Sequence, residues 1–259
     1  MEPTQRLLPL VGAYNFRDLG GYPTTDGGMT RWGRLFRSDT LHELTEPDLK
    51  ILRDVGLRKV IDLRTATEIE ETGRGLLENE PISYLHLSVI QQTSSEGQQP
   101  SSEGTVATPL ADIDLADIYV QWLDTGRAAL VPALCALADL SSYPLVFHCA
   151  AGKDRTGILA ALTLDIVRVD RNVIVEDYVL TANRIDLIRA RQRINPVTAR
   201  RMIEAPQVFD VEARTMESFL DVLHSRHGGG RQWALAAGVP AESLDAMSDL
   251  LVTKGLDRL

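Results

Sequence analysis

Residues 145–157 read Leu145-Val146-Phe147-His148-Cys149-Ala150-Ala151-Gly152-Lys153-Asp154-Arg155-Thr156-Gly157. The apolar start predicts a short buried strand, and the largely apolar stretch from Gly157 to Val169 predicts a buried helix. Between them is a tight loop in which five residues separate a cysteine from an arginine. If the loop curls around one centre, successive backbone N–H groups converge there as an anion nest. The following helix turns its positive end toward the same point. Ala150, Ala151 and Gly152 leave room for the backbone to approach a ligand, and Arg155 supplies a planar fork suited to two phosphate oxygens. Cys149 then occupies an electropositive spot that favours the thiolate. Such a thiolate can attack phosphorus and form a phosphocysteine that water later hydrolyses. A lone cysteine is more often an inert core residue, and Cys135, in an apolar helical stretch, is read that way.

Upstream, Lys59-Val60-Ile61-Asp62-Leu63 and residues 83–87 predict two further short strands. Turn chemistry at Gly20-Gly21 and Asp26-Gly27-Gly28 predicts strands or hairpins in the first 40 residues. Thr45 ahead of Glu46-Pro47-Asp48 predicts an N-capped helix with Leu49, Ile51, Leu52 and Val55 on its apolar face, ended by Gly56. Helical spacing runs from Leu115 to Leu140, broken or kinked at Asp124-Thr125-Gly126 or at Pro132. Asp170 is placed to cap the next helix. The C-terminal third reads as helices near 197–204, 211–226, 231–237 and 241–253. Together these predict an α/β fold: a mainly parallel central sheet flanked by helices, a strand–phosphate loop–helix unit and a helical C-terminal part, in one domain over 1–259. Residues 90–108, rich in Gln, Ser, Gly and Thr, predict a flexible surface loop. Arg184, Arg189, Arg191, Arg193, Arg200 and Arg201 stand against one acid, Asp186. They suggest a helical lid over 184–240, with a solvated helix face as the plainer alternative.

The chain has 259 residues, 36 acidic and 27 basic, for a net charge of −9, with 44% hydrophobic and 24% charged residues. That is the balance of a soluble globular protein. Its acidity disfavours nucleic acid as a partner, because affinity for phosphate backbone comes from Lys and Arg. The acidity is local: residues 65–124 hold eleven acids and one base, and the remainder is close to neutral. A pocket for one phosphate ester is therefore not disfavoured. Two cysteines make no disulfide framework and predict a reducing, cytoplasmic location, with leaderless export left open. The longest apolar run, Ala128 to Ala138, falls well short of the ~18 residues a span needs, so no integral membrane segment is expected. The first residues do not resemble a secretory signal. His42, His86, His224 and His227 make no convincing metal set, and no Gly-rich nucleotide motif is present. No metal and no cofactor are expected.

The stretch from His148 to Gly157 resembles the signature loop of the Cys-based protein tyrosine phosphatases, His-Cys-x5-Arg-Ser/Thr-Gly. The Lys-Asp pair inside the loop is similar to that of a bacterial and fungal branch of the superfamily. Asn15-Phe16-Arg17-Asp18-Leu19-Gly20-Gly21, Arg37-Ser38-Asp39, Asp62-Leu63-Arg64-Thr65 and Ile174-Val175-Glu176-Asp177-Tyr178 resemble that branch's other motifs, as does the region around Gly238-Val239. The resemblance covers most of the chain outside 90–108 and implies a metal-independent phosphatase.

In that reading Cys149 is the nucleophile and Arg155 the phosphate clamp. Ala150, Ala151, Gly152, Lys153, Thr156 and Gly157 form the binding loop. Thr156 is the hydroxyl donor to the sulfur, with plain helix capping as its alternative. A proton donor for the leaving oxygen is also needed. Asp112, Asp114, Asp117 and Asp124 precede the loop but fall on or near an amphipathic helix, where a solvated face is the plainer reading. The resemblance implies Asp154. Lys153 adds a second cation, suggestive of a substrate with more than one phosphate, or else it pairs with Asp154 or faces solvent. His148 is read as support for the loop, and Arg17, Asp18, Asp62 and Arg64 mainly as scaffold ion pairs. The expected substrate is a phosphorylated protein, through phosphotyrosine with phosphoserine or phosphothreonine tolerance, and inorganic phosphate is the product. A phosphoinositide phosphatase is the close alternative. A phosphate-binding module without turnover, and Cys-based sulfur transfer or arsenate reduction, are the more distant ones.

Overall fold

Alternation of side chains along the central strand builds the core. In the computed structural model, which describes residues 6–90 and 114–253, Leu145 and Phe147 face one apolar cluster while Val146 faces another. The same split holds for Ile61 against Val60 and for Leu35 against Phe36. A sheet that is apolar on both faces must be covered on both. The elements follow in the order β1 (Arg17–Asp18), β2 (Met29–Thr30), β3 (Leu35–Ser38), α1 (Glu46–Val55), β4 (Lys59–Asp62), α2 (Ala66–Thr72), β5 (Ser83–His86), α3 (Leu115–Thr125) and α4 (Arg127–Ala136). Then come β6 (Leu145–His148), α5 (Asp154–Ile166), α6 (Arg171–Val179), α7 (Ile185–Gln192), α8 (Pro196–Glu204), α9 (Ala213–His227), α10 (Gly230–Ala237), α11 (Ala241–Leu251) and β7 (Val252–Thr253).

The sheet order is β1-β3-β6-β4-β5. Strands β3, β6, β4 and β5 are parallel, and the short edge strand β1 runs antiparallel to β3. Strands β2 and β7 form a separate two-stranded ribbon. Helix α1 covers one face, and residues of α3, α4, α5, α9, α10 and α11 pack on the other. The mainly parallel α/β sheet expected from the sequence is present.

Local rules account for the element ends. Thr45 and Asp48 form a reciprocal capping box, and Gly56 closes α1 in the left-handed conformation. The long helical stretch breaks at Gly126, while Pro132 is accommodated inside α4. Helix α5 is buried almost all round, as its apolar composition requires. It starts at Asp154, so its first turn already contains Arg155. The expected loop at 90–108 lies, beyond Ile90, outside the described residues.

Candidate active site

The register of β6 decides where the loop opens. His148 lies level with Ser38 of β3 and Asp62 of β4, so the chain leaves the sheet at Cys149, between the C-terminal ends of two parallel neighbours. That is where ligands gather in parallel α/β sheets. Cys149 is 1% exposed. The Thr40 N–H donates to the Ala150 carbonyl at 3.2 Å. Gly152 has φ +65°, and a Cβ there would lie 2.5 Å from the backbone of Ser38 and Asp39. Only glycine fits. Its small size lets the loop pass against the end of β3. The Gly152 carbonyl accepts from the Arg37 guanidinium at 2.7 Å and the Asn15 amide at 3.4 Å. Among the described residues, no backbone N–H from 150 to 156 donates to a protein acceptor. These amides and the first turn of α5 form an array of free donors beside Cys149. Thr156 is fully buried, and among the described residues its Oγ1 has no hydrogen-bond partner. Gly157 admits the Tyr178 ring, which would lie 3.2 Å from an added Cβ.

Arg155 leads back from the loop to α2. Its Nη1 donates to Glu68 Oε2 at 2.5 Å and its Nη2 to Glu68 Oε1 at 2.9 Å. Glu68 is also the third residue of α2, where it closes a capping box with Thr65. Burial by itself would raise the Glu68 carboxyl, but the Arg155 guanidinium holds it down to about 2. Burial by itself would lower Arg155, but Cys149 and Glu68 keep it firmly charged. Glu68 was missed in the sequence. Thr65-Ala66-Thr67-Glu68 carries the helix-start pattern, but nothing local ties it to Arg155.

Asp154, 23% exposed at its side chain, lines the cleft above the loop. Its Oδ1 accepts from the Tyr119 hydroxyl at 2.6 Å and lies 3.3 Å from Lys153 Nζ. Lys153 is itself buried, and Nζ donates to the carbonyls of Val208 at 2.6 Å and Asp210 at 2.9 Å. The ammonium is thus anchored to the segment beyond α8. Asp114 caps α3, and Asp117 and Asp124 are exposed. None of those three lines the cleft, and Asp112 lies outside the described residues.

The remaining candidates form the frame. His148 is buried 3.5 Å from Asp62, with Nδ1 3.3 Å from the Cys149 carbonyl oxygen, and burial lowers its imidazole. Asp62 takes the Arg64 fork and the Tyr84 hydroxyl. Burial opposes its ionisation, but His148 and Arg64 hold its carboxyl well below the usual range. Arg64 also reaches the cleft wall. Arg17 pairs with Asp177 at 3.0 Å, and Asp177 pairs in turn with Arg37 at 2.6 Å. Arg17 therefore acts on the loop through Asp177, Arg37 and the Gly152 carbonyl. Asp18 accepts from the N–H groups of Gly20 and Gly33 at the turn, away from the cleft.

The cleft has a volume of about 500 Å³. Its far wall comes from α7, α8 and the turn at Pro206–Phe209, through Ile185, Asn195, Thr198 and Phe209. Of the segment 184–240, where a helical lid was one expectation, only part borders the cleft. Met216, Phe219 and Leu223 of α9 and Trp233 of α10 lie in the main core, so only about 185–209 borders the cleft. The arginine run does not present one basic face. Arg191 turns inward to Asp39 and the Gly12 carbonyl, Arg189 pairs with Asp210, and Arg200 pairs with Glu204.

Among the described residues no cluster of side chains could hold a metal ion, and no helix is long and apolar enough to cross a membrane. Cys135 is partly buried on α4, and burial raises its thiol.

A buried cysteine at a strand end, followed by a run of backbone N–H groups without a protein acceptor and an arginine at a helix start, is the arrangement expected of a Cys-based phosphatase loop. Comparison carries this further. A model of the tyrosine phosphatase family matches residues 8–253, and the chain belongs to that family. It is similar to the triple specificity protein phosphatase PtpB of Mycobacterium tuberculosis, with 31% identity over 204 residues, 70% of this chain and 71% of that protein. A tyrosine-protein phosphatase of Nostoc commune is 31% identical over 150 residues, 58% of this chain and 49% of that one. Among solved structures, TpbA of P. aeruginosa is a distant likeness, with 14% identity and a TM-score of 0.35 over 84% of this chain and 96% of that one.

Proposed function

We propose that this protein hydrolyses phosphoric monoesters, phosphotyrosine in proteins first among them, through a phosphocysteine. The observation that carries this reading is the array of unpartnered N–H groups from 150 to 156, closing with Arg155 around Cys149 at a cleft bordered by Asp154. The Cys149 thiolate attacks phosphorus, and the bond from phosphorus to the leaving oxygen breaks. Asp154 gives that oxygen its proton, so tyrosine leaves neutral. Arg155 and the loop amides hold the phosphoryl oxygens as charge redistributes over them. In the second step Asp154 takes a proton from water, water attacks phosphorus, and the S–P bond breaks. Thr156 Oγ1, which has no partner among the described residues, donates to the departing sulfur. Products are the free hydroxyl compound and inorganic phosphate, with no metal or cofactor required. A reducing cytoplasm would keep the thiol in use.

The name of the Mycobacterium tuberculosis relative, a triple specificity protein phosphatase, supports breadth beyond phosphotyrosine. The phosphoinositide alternative loses one argument, because Lys153 is engaged by two carbonyls. The test is one panel of phosphotyrosine peptide, phosphoserine peptide and phosphoinositides, assayed with EDTA. Turnover of the phosphotyrosine peptide that survives EDTA and vanishes in Cys149→Ser is expected. Loss of activity with EDTA, or thiosulfate turnover without ester hydrolysis, would overturn the reading.

A further inference from the structure

Two buried tyrosines stand behind Asp154. The Tyr119 hydroxyl donates to Asp154 Oδ1 at 2.6 Å, and the hydroxyls of Tyr119 and Tyr178 are 2.9 Å apart. Both side chains are essentially fully buried. Since the single Tyr119 proton goes to Asp154, Tyr178 is the donor between the two phenols. Helix α3 brings Tyr119, and α6 brings Tyr178 against Gly157. The Tyr119 ring also packs edge-on against Phe219.

We propose that Tyr119, backed by Tyr178, is a positioning residue that fixes which oxygen of Asp154 exchanges the proton. Oδ1 is taken by Tyr119 and by Lys153 Nζ at 3.3 Å, while Oδ2 has no partner among the described residues. Oδ2 is then the oxygen left for the leaving group and, in the second step, for water. The groups facing this site are Tyr119 from α3, Lys153 and Arg155 from the loop and α5, and Tyr178 from α6, with Arg37 and Glu212 acting on Tyr178. Burial pushes the Tyr119 phenol well above its ordinary value, so it stays a donor throughout turnover. The neighbouring Asp177 reaches the loop from its other side through Arg37 and the Gly152 carbonyl. Adjacent residues of α6 thus support both the phosphate cradle and the proton donor.

The inference rests on Asp154 being the acid, and the experiment separates the two. The pH dependence of kcat/KM is measured for an alkyl and an aryl phosphate in wild type, Tyr119→Phe, Tyr178→Phe and Asp154→Asn. Tyr119→Phe removes one donor from a charged acceptor, so the basic limb moves up by about one pH unit. The alkyl ester, with the poorer leaving group, loses more rate than the aryl ester. Tyr178→Phe moves the limb the same way but less, and it remains informative if Tyr119→Phe does not fold. A limb unmoved in a folded Tyr119→Phe or Tyr178→Phe overturns the positioning role alone. A wild-type limb that persists in Asp154→Asn overturns the assignment of the acid, and the inference with it.

Discussion

Replacing Glu68 by Gln tests how the arginine clamp is aimed. A guanidinium has five donors, and Glu68 occupies the Nη1–Nη2 end. In the proposed reaction the Nε–Nη2 edge would take two phosphate oxygens, and Glu68 would orient Arg155 without competing for them. The glutamine keeps an acceptor for the Thr65 N–H and loses the charge facing Arg155. Lowering a carboxyl from 4.5 to about 2 corresponds to roughly 3 kcal/mol. The Glu68 side chain is 30% exposed, and water screens part of that, leaving about 1–2 kcal/mol. The folded carboxyl is depressed, so its contribution is complete above about pH 4.5 and is lost as pH falls toward 2. The gap in urea midpoint between wild type and variant should be flat at neutral pH and narrow below 4.5. In kinetics, a clamp that must reorient costs about tenfold in kcat/KM and in inhibition by inorganic phosphate. Tighter phosphate binding in the variant would refute the argument, since Glu68 would then be a competitor for Arg155. Unchanged binding with unchanged stability would show that the pair does neither.

Other perturbations probe the frame. Asp177→Asn leaves Arg17 and Arg37 buried without their counter-ion and should cost about 3–5 kcal/mol by urea unfolding. The same variant should lower kcat/KM, because Arg37 holds the Gly152 carbonyl. Lys153→Met removes the tie to the Val208 and Asp210 carbonyls and should speed amide hydrogen exchange over 206–212, whereas unchanged exchange would mean that other contacts hold the segment. Cys149→Ser should abolish turnover while inorganic phosphate still binds in calorimetry, because the amides and Arg155 remain; loss of binding would assign the sulfur a part in anion recognition.

The residues proposed to carry the chemistry are close in sequence, which is why a local pattern points to them. Cys149, the backbone N–H groups after it and Arg155 fit within one strand–loop–helix unit, so the proposal could be framed from neighbours alone. The same holds for α1, whose Thr45 and Asp48 cap depends on neighbours alone. What aims those groups is distant. Glu68 lies 87 residues from Arg155, Tyr119 lies 35 from Asp154, and Asp177 lies 140 from Arg37. Composition misleads at such positions. Glu68 counts as one more acid in the acidic segment, and Arg191 as one more cation in a basic run, yet the first pairs with Arg155 and the second is buried against Asp39. Gly152 carries a constraint that the sequence does not reveal, because its lack of a side chain also lets the loop pass against Ser38 and Asp39. An ion pair or hydroxyl chain between remote segments leaves no periodicity to find, since either partner alone is an ordinary polar residue. The burial of Glu176-Asp177-Tyr178 at its second and third positions is the physical signal that separates them from surface charge. A buried carboxylate and a buried phenol require partners, and both of these lead to the loop after Cys149, through Arg37 to Gly152 and through Tyr119 to Asp154.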